Sequence, residues 1–134
     1  MSTNARIGIK ISGIKMASIY SHWDGYPSWV GEKLLKYFNT EEKVKELLSM
    51  GNVSIMGDKI GKKVNFYTFK SNENSQCLFY GRDRGDSDEE AITHEIGDMS
   101  YHYSFTYLFK NGAWYVRIKK NFVLLTEKIC EKYF

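Results

Sequence analysis

The sequence predicts an α+β fold: a mainly antiparallel sheet, two short helices after the first hairpin, and a C-terminal helix. Three patterns carry this. Ile7, Ile9 and Ile11 alternate with Gly8, Lys10 and Ser12, the period-two mark of a half-buried strand. Val30, Leu34, Leu35 and Phe38 recur at helical spacing. Tyr101, Tyr103, Phe105, Tyr107 and Phe109 alternate on one predicted face and run into Asn111-Gly112, the strongest hairpin signal in the chain.

Taken in order, residues 6–12 and 15–22 read as an antiparallel hairpin turning at Gly13. The helix from Ser28 to Phe38 has Ser28 as its expected N-cap and Glu32 near its positive start. Thr40, followed by Glu41 and Glu42, opens a second helix that carries Val44, Leu47 and Leu48 and stops at Gly51. Val64–Phe69 and Gln76–Tyr80 are rich in β-formers and read as strands. Gly81–Asp88 reads as a polar, glycine-flanked loop, and Glu89–Met99 as a short helix or an irregular acidic connection. Ala113–Lys119 is the strand returning from Asn111-Gly112. From Phe122 onward, Leu125, Ile129 and Tyr133 predict the terminal helix.

With 134 residues, the chain is expected to be a single domain, 1–134. Apolar residues at 43% and charged residues at 26% exclude disorder as the default state. No apolar run approaches a membrane span, and residues 1–11 lack the apolar stretch of a signal peptide, so a cytoplasmic location is expected, with no membrane partner. Two cysteines, Cys77 and Cys130, are too few for a disulfide framework or a Cys-based zinc site. Charge is uneven. Residues 1–70 carry 11 Lys and Arg against 6 Asp and Glu, a net of +5; residues 71–98 carry 2 against 8, a net of −6; residues 99–134 carry 6 against 2, a net of +4. The basic excess favours anionic partners, while the acidic block at 83–98 argues against sequence-specific nucleic-acid binding.

Two groups carry the candidate ligand chemistry. His22, Trp23, Asp24 and Tyr26 lie at a strand-to-helix junction, where rings can sandwich a planar base and polar edges can hydrogen-bond to it. Arg82, Asp83 and Arg84 lie between glycines; arginine binds phosphate through paired hydrogen bonds, but Asp83 or Asp86 could instead hold these arginines in internal salt bridges. No catalytic residue, metal site or cofactor is assigned. His94 and His102 match no metal-ligand spacing and read as surface residues. Neither cysteine has a neighbour pattern that would lower its pKa.

The string Tyr20-Ser21-His22-Trp23-Asp24-Gly25-Tyr26-Pro27, followed by Val30-Gly31, resembles a family of small uncharacterised proteins from phages and bacterial genomes. Met50-Gly51, the Arg82-Asp83-Arg84-Gly85 stretch and Asn111 to Val116 resemble it too, so the likeness spans roughly Ile7 to Val116. It implies a phage setting and no assigned activity. Three functions follow as expectations. The first is a non-catalytic binder that sequesters an anionic, nucleotide-like ligand such as an immune second messenger of the host. The second is an inhibitor of a host protein with no small ligand. The third is a small phosphodiester-cleaving enzyme using His22 and Asp24 as an acid/base pair. The aromatic load, 3 Trp, 10 Tyr and 8 Phe, predicts a homo-oligomer that buries the surplus through the Tyr101–Phe109 region or the C-terminal helix.

Overall fold

The first hairpin supplies the centre of the sheet. In the computed structural model, which describes residues 3–133, strands β1 (Ala5–Ser12) and β2 (Lys15–Ser21) pair antiparallel with Ile7 opposite Ile19. The other strands are β3 (Val53–Ile55), β4 (Leu78–Phe79), β5 (Ile92–Glu95), β6 (Phe105–Lys110), β7 (Ala113–Ile118) and β8 (Asn121–Leu124). They form one eight-stranded sheet in the order β4-β3-β2-β1-β6-β7-β8, with β5 sharing the outer edge of β2. Pairing is mainly antiparallel; β1 with β6 and β2 with β3 are the parallel contacts. The fold is α+β. Among the described residues, no helix is long and apolar enough to cross a membrane.

Alternation divides the sheet into two unlike faces. Ala5, Ile7 and Ile9 of β1, Ile19 of β2 and Tyr107 and Phe109 of β6 face the helices. There they meet Val30, Leu34 and Phe38 from the first helical region and Val44, Leu47 and Leu48 from the second. Each fully buried leucine contributes roughly 1.5–3 kcal/mol of transfer free energy. Two indole N–H groups tie loops to this layer: Trp114 Nε1 donates to the Phe38 carbonyl at 2.7 Å and Trp29 Nε1 to the Met56 carbonyl at 2.9 Å.

The helical region starts with a π-helical turn, Pro27–Gly31, and continues as α1 (Glu32–Tyr37). Ser28 is not its N-cap. Tyr26 holds that position without a side-chain bond, and the Ser28 amide instead donates to the Tyr133 carbonyl at 3.1 Å, joining the two ends of the chain's helical layer. α2 (Glu41–Ser49) follows the sequence reading, with Thr40 Oγ1 accepting from the Lys43 amide.

Four expectations are corrected. Val64–Phe69 is not a strand: Asn65 Oδ1 accepts from the Tyr67 and Thr68 amides, and this local turn competes with pairing. The strand expected over Gln76–Tyr80 shrinks to β4, and Tyr80–Arg84 forms the short helix α3, closed by Gly85 at φ +84°. Residues 92–95, expected within a short helix or an irregular connection, form a strand paired with β2. Residues 121–124 pair with β7, and the terminal helix α4 (Glu127–Lys132) starts only after Thr126, whose Oγ1 caps the Ile129 amide. The five alternating rings also part company. Tyr107 and Phe109 enter the core, whereas Tyr101 and Tyr103 precede β6 and pack on the opposite face, so they do not form one self-association surface.

Gly8 keeps that opposite face flat where β1 meets β2. A Cβ there would run into the Ala17 carbonyl oxygen and lie 2.6 Å from Met16 Cε. Gly8→Ala should therefore lower stability in urea denaturation by about 1–3 kcal/mol, the usual cost of overpacking. Gly97→Ala, where a Cβ meets nothing within 4 Å, should stay within about 0.5 kcal/mol of the parent.

Candidate functional site

The predicted residues fall into two environments, and a third adjoins the first. His22 and Trp23 extend β2 alongside β3, their amides donating to the Val53 and Ser54 carbonyls at 3.1 Å. Asp24 then takes a left-handed conformation at φ +54°, and Gly25 packs against the backbone of Thr3 and Asn4, where a Cβ would not fit. The buried Tyr107 hydroxyl donates to the Gly25 carbonyl at 2.7 Å and fixes this turn from below. His22 and Asp24 do not pair: His22 Nδ1 meets the Tyr20 hydroxyl at 2.6 Å, while Asp24 Oδ1 accepts from the Tyr26 hydroxyl at 2.8 Å. That bond to Asp24, aided by burial, raises the Tyr26 pKa.

Arg82 and Asp83 are occupied internally. Arg82 Nε and Nη2 clasp the Asp83 carboxylate at 2.9 and 3.1 Å, Nη2 also donates to the Cys77 carbonyl, and Nη1 donates to the Ile60 and Gly61 carbonyls. These bonds use all five guanidinium N–H donors. The buried Asp83 carboxylate accepts in addition from the Val64 and Phe79 amides. This is the internal-pair arrangement that the sequence left open. Arg84 differs. It pairs with Asp86 at 2.7 Å near the surface, and its guanidinium lies 4.8 and 4.7 Å from the ring centroids of Phe66 and Tyr80.

A third environment lies on the sheet face away from the helices. Register aligns one row across it: Arg117 opposite Thr106, Thr106 opposite Arg6, and Arg6 opposite Tyr20. Asn52 continues the row, its Oδ1 accepting the Tyr20 amide at 2.8 Å and its carbonyl the Tyr80 amide at 3.3 Å. Tyr20 and Tyr80 therefore link the HWDGYP strand end to α3, with β3 between them. A ladder of rings runs down this face from Tyr103 to Tyr20, His22 and Trp23, with centroids 5.5, 5.7 and 4.7 Å apart. Trp23 ends it at 45% exposure.

Arg6 stands at the inner end of the ladder and is 5% exposed. Its Nε and Nη2 donate to Ser18 Oγ at 3.1 and 2.9 Å, and Nη2 also donates to the Ser18 carbonyl. Ser18 Oγ lies 2.6 Å from His94 Nε2, and His94 Nδ1 lies 2.9 Å from the Glu95 carbonyl. A carbonyl only accepts, so Nδ1 carries the proton and Ser18 donates to Nε2. The segment 96–104 roofs this group. Tyr101 stacks on His94 at 4.4 Å, and the Arg6 guanidinium lies 5.4 and 5.7 Å from the Tyr101 and Tyr103 centroids. Burial lowers the Arg6 pKa and Tyr103 opposes it; an arginine in this range remains a cation. Among the described residues, no Asp or Glu forms an ion pair with it.

His94, read from the sequence as a surface residue, is buried at 7% exposure because the Tyr101 ring covers it. Ser18 and His94 form a nucleophile–base geometry, but Ser18 is fully buried, which removes it from substrate. Burial holds both cysteine thiols at about 11, out of the reactive range. A surface hollow of about 360 Å³ lies at the far end of β1, bordered by Lys10, Glu41, Lys110 and Asn111. Lys10 there is exposed, and Lys110 Nζ lies 4.7 Å from the Tyr115 ring centroid.

No protein-family model, curated protein or solved structure matches this chain.

Breaking the Arg82–Asp83 pair should unfold the protein before it alters any ligand. Arg82→Ala should cost about 3–5 kcal/mol in chemical denaturation, the cost of stranding a buried charge. Burial works to raise the Asp83 pKa, but the bonds from Arg82, Phe79 and Val64 outweigh it and hold it below the usual 3.8. The pair therefore stabilises the fold above the unfolded carboxylate range and loses its contribution as pH falls through the lower folded value. Urea midpoints measured between pH 6 and 2 should show this acid loss, and Asp83→Asn should flatten it.

Proposed function

We propose that this protein is a non-catalytic binder of an anionic, nucleotide-like ligand, held on the open sheet face. The observation that carries the reading is the buried Arg6 guanidinium, without a carboxylate among the described residues, at the inner end of a ring ladder whose outer end, Trp23, faces solvent. An anionic ligand with a planar base uses both features: the rings stack on the base and the cation takes the charge. His22, Trp23, Tyr20 and Tyr103 supply the stacking side. Arg84, packed on Tyr80 and Phe66, is an exposed cation beside the row's other end. Asp24 and Tyr26 shape the turn that presents Trp23. Arg82 and Asp83 support α3 rather than contacting ligand.

The likeness of the HWDGYP stretch to small phage and bacterial proteins supports the sequestration of a host immune second messenger as the biological role, in the host cytoplasm. The fully buried state of Ser18 and the separate partners of His22 and Asp24 favour binding over turnover. Calorimetry against cyclic dinucleotides, cyclic trinucleotides and cyclic ADP-ribose isomers tests the reading. At least one should bind and be recovered intact after heat release. Trp23→Ala should weaken it by about ten-fold or more, as loss of one stacked base implies. No binding at micromolar protein, or release of a cleaved product, defeats it.

We propose that the chain self-associates, as its aromatic load of 3 Trp, 10 Tyr and 8 Phe leads one to expect. Light scattering at tens of micromolar protein should show a species larger than the monomer; a monomer at that concentration counts against it.

A further inference from the structure

The sheet ends in an edge that the binding reading leaves unused. β8 closes the strand order, and among the described residues β7 is the strand it pairs with. The ladder shows which of its backbone groups face outward. The Leu125 amide donates to the Trp114 carbonyl at 3.0 Å, one step beyond the Tyr115–Leu124 pair. Hydrogen-bonded and open pairs alternate along an antiparallel ladder, so Val123 and Asn121 also bond inward, to Val116 and Ile118. Phe122 and Leu124 lie in the open pairs, and each points its N–H and C=O away from β7. Among the described residues, no turn or loop backbone bonds these groups.

Sheet edges in folded proteins are defended by charge, proline, a bulge or a cover. The β4 edge is closed by its surroundings: the Phe79 amide donates to Asp83 Oδ2 and the Cys77 amide to the Lys59 carbonyl, both at 2.8 Å. β5 is defended by charge. Glu95 lies on it, Glu89 and Glu90 precede it and Asp98 follows, so two such edges repel each other. β8 has neither protection. From Asn121 to Thr126 the chain carries no charge and no proline, the register with β7 is unbroken, and Val123 and Leu124 are 38% and 51% exposed.

This edge complements a copy of itself. Antiparallel pairing centred on Val123 sets Phe122 of each copy opposite Leu124 of the other and uses every outward group of both residues. Phe122 is opposite Arg117 in the row on the open face, so the Phe–Leu pairs form there, and Val123, opposite the core residue Val116, meets its counterpart on the helix side. The ends match in charge. Lys119 and Lys120 precede the strand and Glu127 opens α4 behind it, so each basic turn lies beside the acidic helix start of the other copy. We propose that β8 pairs with β8 of a second copy, antiparallel about Val123, in a two-fold dimer. The inference rests on the self-association reading and names its interface. Residues opposite one another point to the same side of a sheet, so both helical layers lie on one side of the joined sheet and both ring ladders on the other.

Sedimentation equilibrium of the full chain, diluted from tens of micromolar, tests this together with amide exchange followed by NMR. The chain should sediment as a dimer. The Phe122 and Leu124 amides should exchange more slowly as concentration rises, whereas the inward Val123 amide stays slow throughout. Leu124→Lys puts a charge on the edge of each copy and should weaken the dimer by about ten-fold or more. Lys120→Glu and Glu127→Lys, each of which sets like charges together, should weaken it by about three-fold or more, and the double variant should regain the parent's affinity. If Leu124→Lys fails to fold, the exchange data and the charge swap, at exposed positions, still decide the outcome. A monomer at tens of micromolar overturns the inference together with the self-association reading. A dimer whose Phe122 and Leu124 exchange does not depend on concentration, or whose affinity none of these variants changes, overturns the β8 interface and leaves self-association standing.

Discussion

The clasp between Arg82 and Asp83 organises more of the molecule than any other polar contact. Between β3 and β4 the chain runs through residues 56–77 with no paired strand beyond an isolated bridge of Lys59 to Gln76. Such a stretch must find partners for its backbone groups. Arg82 takes the carbonyls of Ile60, Gly61 and Cys77, Asp83 takes the Val64 amide, and Gln76 bonds both backbone groups of Lys62. Adjacent residues thus close a long excursion onto one short helix. Because Tyr80 begins that helix and hangs from Asn52, the clasp also sets the edge of the open sheet face.

The two faces of the sheet show opposite solutions to burial. The helix face is apolar and densely packed. The other face buries Arg6, Ser18 and His94 under a short roof of tyrosines. Burying a cation without a carboxylate is unfavourable unless dipoles, hydroxyls and rings compensate. Ser18 supplies its hydroxyl and carbonyl, and Tyr101 and Tyr103 supply ring faces.

The sequence makes the hairpins and the amphipathic helix easy to read, because each depends on neighbours in the chain. The β1–β2 and β6–β7 hairpins, Thr40 as a cap and the α2 stripe all follow from local pattern. What it hides is long-range. Arg6 looks like one charge beside an apolar strand until Ser18, Thr106 and the roof tyrosines are brought around it. His94 reads as a surface residue because its spacing to His102 matches no metal site, and only the Tyr101 ring, distant from β2 in the chain, covers it. Strand propensity misleads at Val64–Phe69, where Asn65 draws the next amides into a turn. Helical spacing misleads at 122–124, where Phe122 and Val123 extend the sheet before Thr126 allows a helix. Within HWDGYP, the outward ring Trp23 is legible as a candidate, whereas the preference of His22 for Tyr20 over Asp24 requires the twist of the strand.

The parallel join of β1 to β6 has a consequence for how the chain assembles. The Ser104 amide reaches Asn4 Oδ1 across 100 residues, and the β1–β6 ladder closes over the same span. Contacts this distant in sequence slow folding, because the loop must be ordered before they form. During synthesis at about 5–20 residues per second, the first hairpin waits roughly 5–20 s for its parallel partner. Throughout that interval one edge of β1 is unpaired beside an apolar face, and Lys10 is the only charged side chain along its outer half. The nascent chain is therefore most prone to association early, well before the open face exists to meet any ligand.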